Sequence, residues 1–452
     1  MLVGHFGVGK TTIAMQLLER KVKHIDSTDG IDVYINQCLY DKESRTWHTT
    51  DFLEFWISTI ITYARGQQAN YPKIVLIGTH RDQLRNDAAL VGIKERISEQ
   101  FGKLVTLKQL VVRDELFISA RHMNDETRKI IRNIILEEGQ QYPEFGERIP
   151  ARWNALQEKL LQRRKDRQYV ISMDDVKSMN KELPSPLDEE ELEIFLSYLH
   201  NMGYILYFSS PALKEKIVLD PKFVINAMRS FITCKRFVKR SLQGNVWKKM
   251  RLTGQVKKTH ILTTWRASGL EEHTEHLLGI MKKLDLVTEP MIYRSGKQVA
   301  ADFFVVPCMI NADKPEGCTV SRVEGAQFVL EFSADTILPP AVFNRLVCSC
   351  LALWEIFERH LYNGMVILKS GRYHIIKLDR QVDKIVVTIS HTERKVPDIQ
   401  LCRAMRQFLS ETIDRIVSLY TTSSDSPICC TSSEIDADLE ILQTVSHCLQ
   451  YL

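Results

Sequence analysis

The chain has 452 residues, of which 44% are hydrophobic and 26% are charged. This composition is typical of a globular protein, and at roughly 150 residues a domain the length predicts about three domains. The 60 basic and 56 acidic residues leave a formal net charge of only +4. So small an excess argues against a general binder of nucleic acid or of membrane surfaces, and we expect no nucleic-acid partner.

The ten cysteines are scattered, without a C-x-x-C pair or a His/Cys cluster at zinc spacing. We therefore expect reduced thiols and a cytoplasmic location rather than disulfides or a metal centre built on cysteine. No stretch approaches the roughly 18 consecutive apolar residues of a membrane span. The sequence thus predicts no membrane span, and the motif described next begins too close to Met1 to leave room for a signal peptide.

A phosphate-binding loop opens the chain. Its residues satisfy G-x-x-x-x-G-K-[ST] and the threonine that follows: Gly4, His5, Phe6, Gly7, Val8, Gly9, Lys10, Thr11 and Thr12. In such a loop the backbone N–H groups surround the phosphates, the lysine reaches the β- and γ-phosphates, and the first threonine offers its hydroxyl to Mg²⁺. Apolar positions 13, 14, 17 and 18 predict the helix that should follow. The motif therefore predicts a nucleotide site in a P-loop α/β domain, although only residues 1–3 remain for the preceding strand.

A second candidate Mg²⁺ ligand is Thr28, in the turn Ser27–Gly30 before a predicted strand at residues 31–39. Switch-type GTPases present a threonine hydroxyl to Mg²⁺ and the γ-phosphate from a loop in this position. Ser-Thr-Asp-Gly is also an ordinary turn sequence, so both interpretations stay open for Thr28.

Two later segments predict selection of guanine. An apolar strand at residues 74–78 leads into Thr79-His80-Arg81-Asp82, a variant of the N/T-K-x-D element whose carboxylate accepts from N1–H and the exocyclic amine of guanine. Thr79 would steady this loop, and His80 stands where a lysine usually packs along the base. Adenine lacks the two donors that Asp82 would accept, and would leave the carboxylate unpaired. A further predicted strand at residues 115–119 ends in Ser119-Ala120-Arg121, where a main-chain N–H backs the guanine O6 in GTPases.

Two catalytic signatures are missing. No D-x-x-G occurs between Thr28 and Thr79, so the aspartate, glycine and water-orienting glutamine of a second switch are not identified. His80-Arg81-Asp82 resembles a kinase catalytic loop, but H-R-D-x-x-x-x-N needs Asn at position 87, which is Asp87. We therefore assign no catalytic residue and no kinase activity, and expect at most a weak GTPase.

These residues together resemble the Roc GTPase domain of the Roco family, followed by its COR partner domain. The resemblance extends to about residue 390, with a shortened first strand and no second-switch segment. It implies an incomplete Ras-like P-loop domain at residues 1–145 that binds GTP or GDP with Mg²⁺. It further implies that the COR part forms a homodimer and passes the nucleotide state to protein effectors.

The rest of the chain predicts an α+β COR region. Helices at 152–161 and 187–202, short strands at 170–172 and 204–208, and a strand near 216 indicate a winged-helix-like part over residues 146–240. A second part at 241–420 carries a helix at 272–284, strands at 285–287 and 303–307, and a largely antiparallel sheet at 366–389. Residues 421–452 are expected to form a Ser/Thr-rich linker and a last short helix near 439–449. A winged helix also raises nucleic-acid binding, but the basic clusters are more typical of solvated faces, and His200 of a core or capping histidine.

Three functional hypotheses follow. The first is a GTP-binding Roc–COR switch with slow or absent hydrolysis. The second is an ATPase switch of the apoptotic or plant-resistance type, which also joins G-K-T-T to a winged helix and lacks D-x-x-G; Asp82 argues against it. The third is a pseudo-GTPase, an interaction scaffold that binds no nucleotide, because a missing strand would leave unpaired backbone in the sheet.

Overall fold

The computed structural model describes residues 13, 17, 40–41, 46–47, 73–83, 90–95, 97, 110–141, 149–232, 245–294, 297–314, 327–334, 338, 340–393, 395–418 and 428–430. Within these residues, buried apolar side chains form four hydrophobic cores that follow one another along the chain. We number them by the residues that they span: the first core (13–134), the second (153–219), the third (213–309) and the fourth (305–416).

The first region of the chain, residues 13–141, contains the first core together with short strands and helices. Its described elements are β1 (Tyr40–Asp41), β2 (Thr46–Trp47), β3 (Ile74–Val75), β4 (Leu110–Val111) and helix α1 (Asp125–Gly139). Strands β1 and β2 pair antiparallel, whereas β3 and β4 pair in parallel. The helix α1 begins at Asn124, whose side chain accepts a hydrogen bond from the Thr127 N–H at 2.8 Å.

The strand predicted at residues 115–119 is wrong in its position. The regular pairing lies earlier, at β4, and residues 114–116 form a 3-10 turn, after which Phe117 makes a single parallel bridge with Gly78. The reason is local: the N–H groups of Leu116 and Phe117 bond within the turn, to the carbonyls of Arg113 and Asp114, and are not available to a neighbouring strand.

The second core is built from helices with a small antiparallel pair of strands. Its elements are α2 (Ala151–Lys165), β5 (Val170–Ser172), α3 (Met173–Lys181), α4 (Glu189–Asn201) and β6 (Lys216–Val218). Ser172 begins α3 with a capping box, since its hydroxyl accepts from the Asp175 N–H and the Asp175 carboxylate accepts from the Ser172 N–H. The strand expected at 204–208 is reduced to one bridge, between Leu206 and Val218.

The third core surrounds Trp265, which is fully buried and donates its indole N–H to the Ser230 hydroxyl at 2.9 Å. Its elements are α5 (Pro221–Arg229), α6 (Asn245–Thr253), β7 (Gln255–Lys257), α7 (Lys258–Arg266), α8 (Thr274–Lys283), β8 (Met291–Arg294), β9 (Lys297–Ala300) and β10 (Phe303–Val305). Strands β7 and β10 pair antiparallel, and β8 and β9 form a hairpin. No strand forms at the predicted 285–287, where Thr288 alone bridges to Val305.

The fourth core lies between a six-stranded sheet and two helices. Its elements are β11 (Gln327–Ala334), α9 (Pro340–Leu351), β12 (Glu355–Tyr362), β13 (Met365–Ser370), β14 (His374–Arg380), β15 (Lys384–His391), α10 (Ile399–Ser418) and β16 (Ile428–Cys430). The strand order is β12-β13-β14-β15-β11-β16, with antiparallel pairing at each step, so the predicted antiparallel sheet is confirmed.

The expectation of a flexible linker over 421–433 is wrong at residues 428–430. There β16 pairs with β11, with Cys430 opposite Phe332 and Ile428 opposite Ala334. The apolar run Ile-Cys-Cys interrupts the Ser/Thr-rich stretch and supplies a β-branched residue that favours a strand. The helix predicted near 439–449 lies outside the described residues, and the proposed domain boundaries stay predictions.

Candidate functional site

Two loops meet at the carboxyl ends of neighbouring parallel strands in the first region. Ile74 and Val75 pair with Leu110 and Val111, and the pairing resumes further on. There the Gly78 N–H bonds to the Leu116 carbonyl at 3.1 Å, the Ile118 N–H to the Gly78 carbonyl at 2.7 Å, and the Arg81 N–H to the Ile118 carbonyl at 3.2 Å. Thr79–Asp82 and Ser119–Arg121 therefore lie side by side at an edge where open α/β sheets bind ligands.

Gly78 allows the two loops to approach this closely. A Cβ atom at this position would overlap the ring of Phe117, with Cε1 at 2.7 Å. Phe117 is itself buried in the first region, so its ring cannot swing into solvent without loss of burial. The glycine is thus required by the contact between the two loops.

The Asp82 carboxylate is the central polar group of this edge. It is exposed to solvent and accepts a hydrogen bond from the Ser119 hydroxyl. That hydrogen bond is the main reason that the pKa of Asp82 lies below its ordinary value, with smaller contributions from a backbone hydrogen bond and from His80 and His122. The carboxylate is therefore ionised at neutral pH, and its two oxygens retain the capacity to accept further donors.

His80 adopts a left-handed backbone conformation, with φ of 61°. Non-glycine residues adopt this conformation uncommonly, and such residues cluster at functional sites. The exposed His80 ring approaches the Thr79 hydroxyl, with Nδ1 and Oγ1 2.9 Å apart. The turn at His80 thus places Thr79 and Asp82 on the same short loop, with the imidazole exposed beside them.

The second loop supplies Ser119, Ala120 and Arg121. A 3-10 turn spans Ala120–His122, and within the described chain the Ser119 side chain makes no capping bond to this turn, consistent with its engagement of Asp82. Ala120 is buried, whereas Arg121 is exposed. The six residues predicted to contact guanine therefore lie on two adjoining loops, which are held together by backbone hydrogen bonds and by the Ser119–Asp82 contact.

Two residues that follow the predicted phosphate loop, Ile13 and Leu17, are helical and contact the same core. Ile13 is buried in the first core with Ile118 and Ala120, the residues on either side of Ser119. Arg132 on α1 donates its Nε–H to the Leu17 carbonyl at 2.9 Å. Gly4–Thr12 and Thr28 themselves lie outside the described residues.

Sequence reasoning missed His122, whose proximity lowers the pKa of Asp82. Its place directly after Ser-Ala-Arg was the available signal, because the turn that positions Ser119 also positions the residue three places further on. His200, predicted as a core or capping histidine, is half-buried in the last turn of α4. Burial lowers its pKa, and its Nδ1 accepts the Tyr207 N–H at 3.4 Å.

In the described part of the chain, no cluster of three or more His, Cys, Asp or Glu side chains has the geometry of a metal site. Among the helices that the structure describes, none combines the length and apolar character needed to cross a membrane.

Comparisons with known proteins identify the region that follows the first core. The family model described as "C-terminal of Roc, COR-A domain" matches residues 150–309. Cyclic GMP-binding protein C of Dictyostelium discoideum is 25% identical over 268 residues, which are 56% of this chain and 9% of that protein. A Roc-COR-CHAT protease from an unknown prokaryotic organism is 21% identical over 431 residues, 83% of this chain and 36% of that protein.

The chain thus spans between about a tenth and about a third of these relatives' own lengths. The solved structure of Methanosarcina barkeri Roco2 RocCORdC bound to GDP is 14% identical, with a TM-score of 0.37, and the match covers 68% of this chain and 94% of that one. The COR-A match and the two relatives agree with the order of motifs read from the sequence: together they support a Roco-family protein, with residues 150–309 matched to its COR-A domain.

Proposed function

We propose that this chain is a GTP-binding Roc–COR signalling module, with an incomplete Ras-like P-loop domain over residues 1–145 and a COR region, beginning with a winged-helix-like part, over 146–420. One observation carries the proposal: Thr79–Asp82 and Ser119–Arg121, 37 positions apart at Asp82 and Ser119, adjoin at one edge with an ionised, exposed carboxylate between them.

The chemistry of this edge fits guanine. The Asp82 carboxylate would accept from N1–H and from the exocyclic amine, while Ser119 fixes its orientation. The N–H of Ala120 or Arg121 would donate to O6, and His80 would pack along the base in place of a lysine. Adenine presents neither donor to the carboxylate, so GTP is favoured over ATP.

The phosphates would lie on Gly4–Thr12, with Lys10 on the β- and γ-phosphates and Thr11, with Thr28, on Mg²⁺. Bound Mg²⁺ would neutralise phosphate charge. The packing of Ile13 against Ile118 and Ala120 supports this arrangement, because Thr12 is joined covalently to a residue of the same core as the base loops. A guanine and its phosphates could therefore be held by one small α/β unit.

Hydrolysis is proposed to be slow or absent. No residue is assigned to orient attacking water, so the rate should not exceed that of an unassisted GTPase, on the order of 10⁻⁴ per second. The chain would act as a nucleotide-dependent switch in the cytoplasm, as a homodimer through COR, and through protein effectors rather than by chemistry. Single-turnover cleavage of GTP many times faster than this would contradict the proposal.

The decisive experiment is a competition titration of a fluorescent GDP analogue with GDP, GTP and ATP, with and without Mg²⁺. We expect guanine nucleotides to compete and ATP not to. Preference for ATP would instead indicate the apoptotic or plant-resistance type of ATPase switch, and binding of neither would indicate a nucleotide-free scaffold.

Asp82→Asn tests the base contact directly. An amide accepts N1–H but offers a donor where the exocyclic amine needs an acceptor, so affinity for GDP should fall by about a hundredfold or more. Xanthine carries a carbonyl in place of that amine, and the same variant should gain affinity for xanthosine diphosphate. Glu115→Gln removes an exposed carboxylate three residues before Ile118 and is the matched control, with unchanged affinity expected.

A further inference from the structure

Asp285 occupies a position that is unfavourable for an aspartate. It lies two residues beyond the end of α8, after the capping residue Leu284, and has a φ of 52°. The Leu286 N–H bonds back to the Met281 carbonyl at 2.9 Å, and the Asp285 N–H bonds to the Lys282 carbonyl at 3.0 Å. This helix-ending motif usually carries glycine, because other residues are strained in the left-handed conformation. A carboxylate at the C-terminus of a helix is also opposed by the helix dipole.

The Asp285 side chain forms an ion pair with a different helix, α10, and not with α8. The Arg415 guanidinium, near the end of α10, lies 2.8 Å from the Asp285 Oδ2 and donates a second hydrogen bond to the Ser349 hydroxyl on α9 at 3.0 Å. The Asp285 side chain is only 12% exposed. One guanidinium thus joins three elements, and the ion pair connects the border of the third core to the helices of the fourth.

A cavity that is open to solvent lies beside this ion pair. It has a volume of about 430 Å³ and lies between the segment after α8 and the helices α9 and α10. Its lining includes Lys282, Asp285, Cys348, Ser349, Leu353 and Phe408. The helices α9 and α10 therefore do not pack directly against the segment after α8 along this cavity, and the hydrogen bonds of Arg415 connect the elements beside it.

The charges around the cavity distinguish the role of Arg415. Lys282 lines the same cavity but lies 2.8 Å from the Glu289 carboxylate, and Lys258 contacts the other oxygen of Glu289. These two lysines therefore neutralise Glu289. Arg415, by contrast, pairs with Asp285.

We propose that Asp285, Arg415 and Ser349 form a lock that holds α9 and α10 against the third core, and that opening this lock widens the cavity between them and exposes Cys348. The lock is a conformational device of the COR region: it accounts for an aspartate at a position that favours glycine, because the carboxylate serves the junction and not its helix. Its opening separates the two cores at this point without unfolding either. The inference is independent of nucleotide binding.

Two cysteines on α9 make the lock testable. Cys348 lines the cavity and is 3% exposed, whereas Cys350 is fully buried in the fourth core. Modification of Cys348 by N-ethylmaleimide should therefore report opening of the junction, and modification of Cys350 should report unfolding of the core. Both rates can be followed in the full chain by peptide mass spectrometry at neutral pH.

Arg415→Gln is the first variant, because it breaks the lock and leaves the Asp285 charge in place. We expect the Cys348 rate to rise by about tenfold or more while the Cys350 rate stays unchanged. Arg415→Lys keeps the charge without the second hydrogen bond and should give a smaller rise. Arg403→Gln, an exposed arginine on the same helix, is the control and should change neither rate.

Asp285→Gly separates opening from electrostatics. Burial raises the pKa of the Cys348 thiol well above its ordinary value, and the Asp285 charge adds to that effect. Removal of the carboxylate alone could therefore speed modification. If both Arg415→Gln and Asp285→Gly raise the Cys348 rate, the lock is supported. If only Asp285→Gly does, or if Cys348 and Cys350 rise together, the proposal is overturned.

Discussion

The loop edge around Asp82 and the junction around Asp285 both have an aspartate at or near a residue in the left-handed conformation, but the two carboxylates differ in exposure and in partners. Each places a carboxylate at or near a non-glycine residue in the left-handed conformation, His80 with φ of 61° and Asp285 with φ of 52°. At the loop edge the carboxylate is exposed, and Ser119 occupies part of its capacity. At the junction the carboxylate is 12% exposed and faces a guanidinium.

The two carboxylates differ in the groups available to donate hydrogen bonds to them. Asp82 has acceptor capacity directed at solvent, which suits a group that must exchange water for a ligand. The Asp285 carboxylate accepts a hydrogen bond from Arg415, 130 positions away in the same chain, which suits a fixed contact. Backbone strain alone therefore does not separate a binding residue from a structural one; the exposure and the partners of the side chain do.

The largest expected effect comes from neutralising each aspartate in turn. Asp82→Asn should lower GDP affinity by about a hundredfold or more and leave the unfolding midpoint unchanged. Asp285→Asn should leave GDP affinity unchanged and lower the free energy of unfolding by about 1–2 kcal/mol, less than for a fully buried pair because Arg415 is 47% exposed. Nucleotide titration and urea unfolding of both variants check this. If both variants change GDP affinity and stability in the same way, the two aspartates do not have separate binding and structural roles.

A buried polar group without a partner should respond to pH. His276 is 8% exposed, and within the described residues its Nε2 has no hydrogen-bond partner. Burial, with Lys216 and His273 nearby, lowers its pKa from 6.5 to about 4. The folded state thus binds fewer protons than the unfolded state between these values, so His276 stabilises fully above about pH 6.5 and this stability is lost as pH falls towards 4.

The expected loss is about 1–3 kcal/mol between pH 7 and pH 4. Burial also lowers the pKa of His200, His273 and His374, which contribute to the same slope. The measurement is therefore a difference: His276→Leu should flatten the curve of unfolding free energy against pH relative to the unchanged chain. Parallel curves would show that His276 does not titrate on unfolding.

Two serine–aspartate pairs allow a closer comparison of ligand-binding and structural roles. Ser119→Ala removes the donor that orients Asp82, and should weaken GDP binding by about three- to tenfold, because one hydrogen bond in the site is lost. Since the carboxylate itself remains, the preference for guanine over adenine should persist. Titration with GDP and ATP measures both, and reversal of the preference would contradict the role given to Asp82.

Ser172→Ala is the structural counterpart. The Ser172 hydroxyl lies 2.6 Å from the Asp175 carboxylate, and the same pair caps the start of α3. Its loss should lower the free energy of unfolding by about 1 kcal/mol and leave nucleotide affinity unchanged. Thermal unfolding with and without GDP checks the result, and a change in GDP affinity would show that the second core is coupled to the base loops.

Much of the fold could be predicted where periodicity or capping is local. Residues 170–172, the start of α3 at Ser172, and the strands β13 to β15 follow the sequence pattern. The strands predicted at 204–208 and 285–287 fail for one reason: each directly follows a helix. The Tyr204 N–H bonds to the Leu199 carbonyl and the Leu286 N–H to that of Met281, so these N–H groups complete a helix end and are not available to a sheet.

In the candidate site too, the motif residues could be predicted from the sequence, whereas the contacts between distant segments could not. Thr79–Asp82 and Ser119–Arg121 could be singled out because each resembles a motif that recognises guanine in GTPases; their contact with guanine stays a prediction. The Ser119–Asp82 contact and the place of His122 depend on the register of β3 and β4, and the Asp285–Arg415 pair depends on two cores meeting. No spacing in the sequence encodes a contact across 130 residues.

The pairing of β16 with β11 bears on how the protein can be shortened. β11 lies between β15 and β16, so Phe332 and Ser333 are paired on both sides. A chain ended at Ser418 would retain α10 and the fourth core but would leave that part of β11 as an open edge. Unpaired edge strands recruit other strands, and such a truncated protein should self-associate. Shortened forms intended to remain monodisperse should therefore extend at least to Cys430.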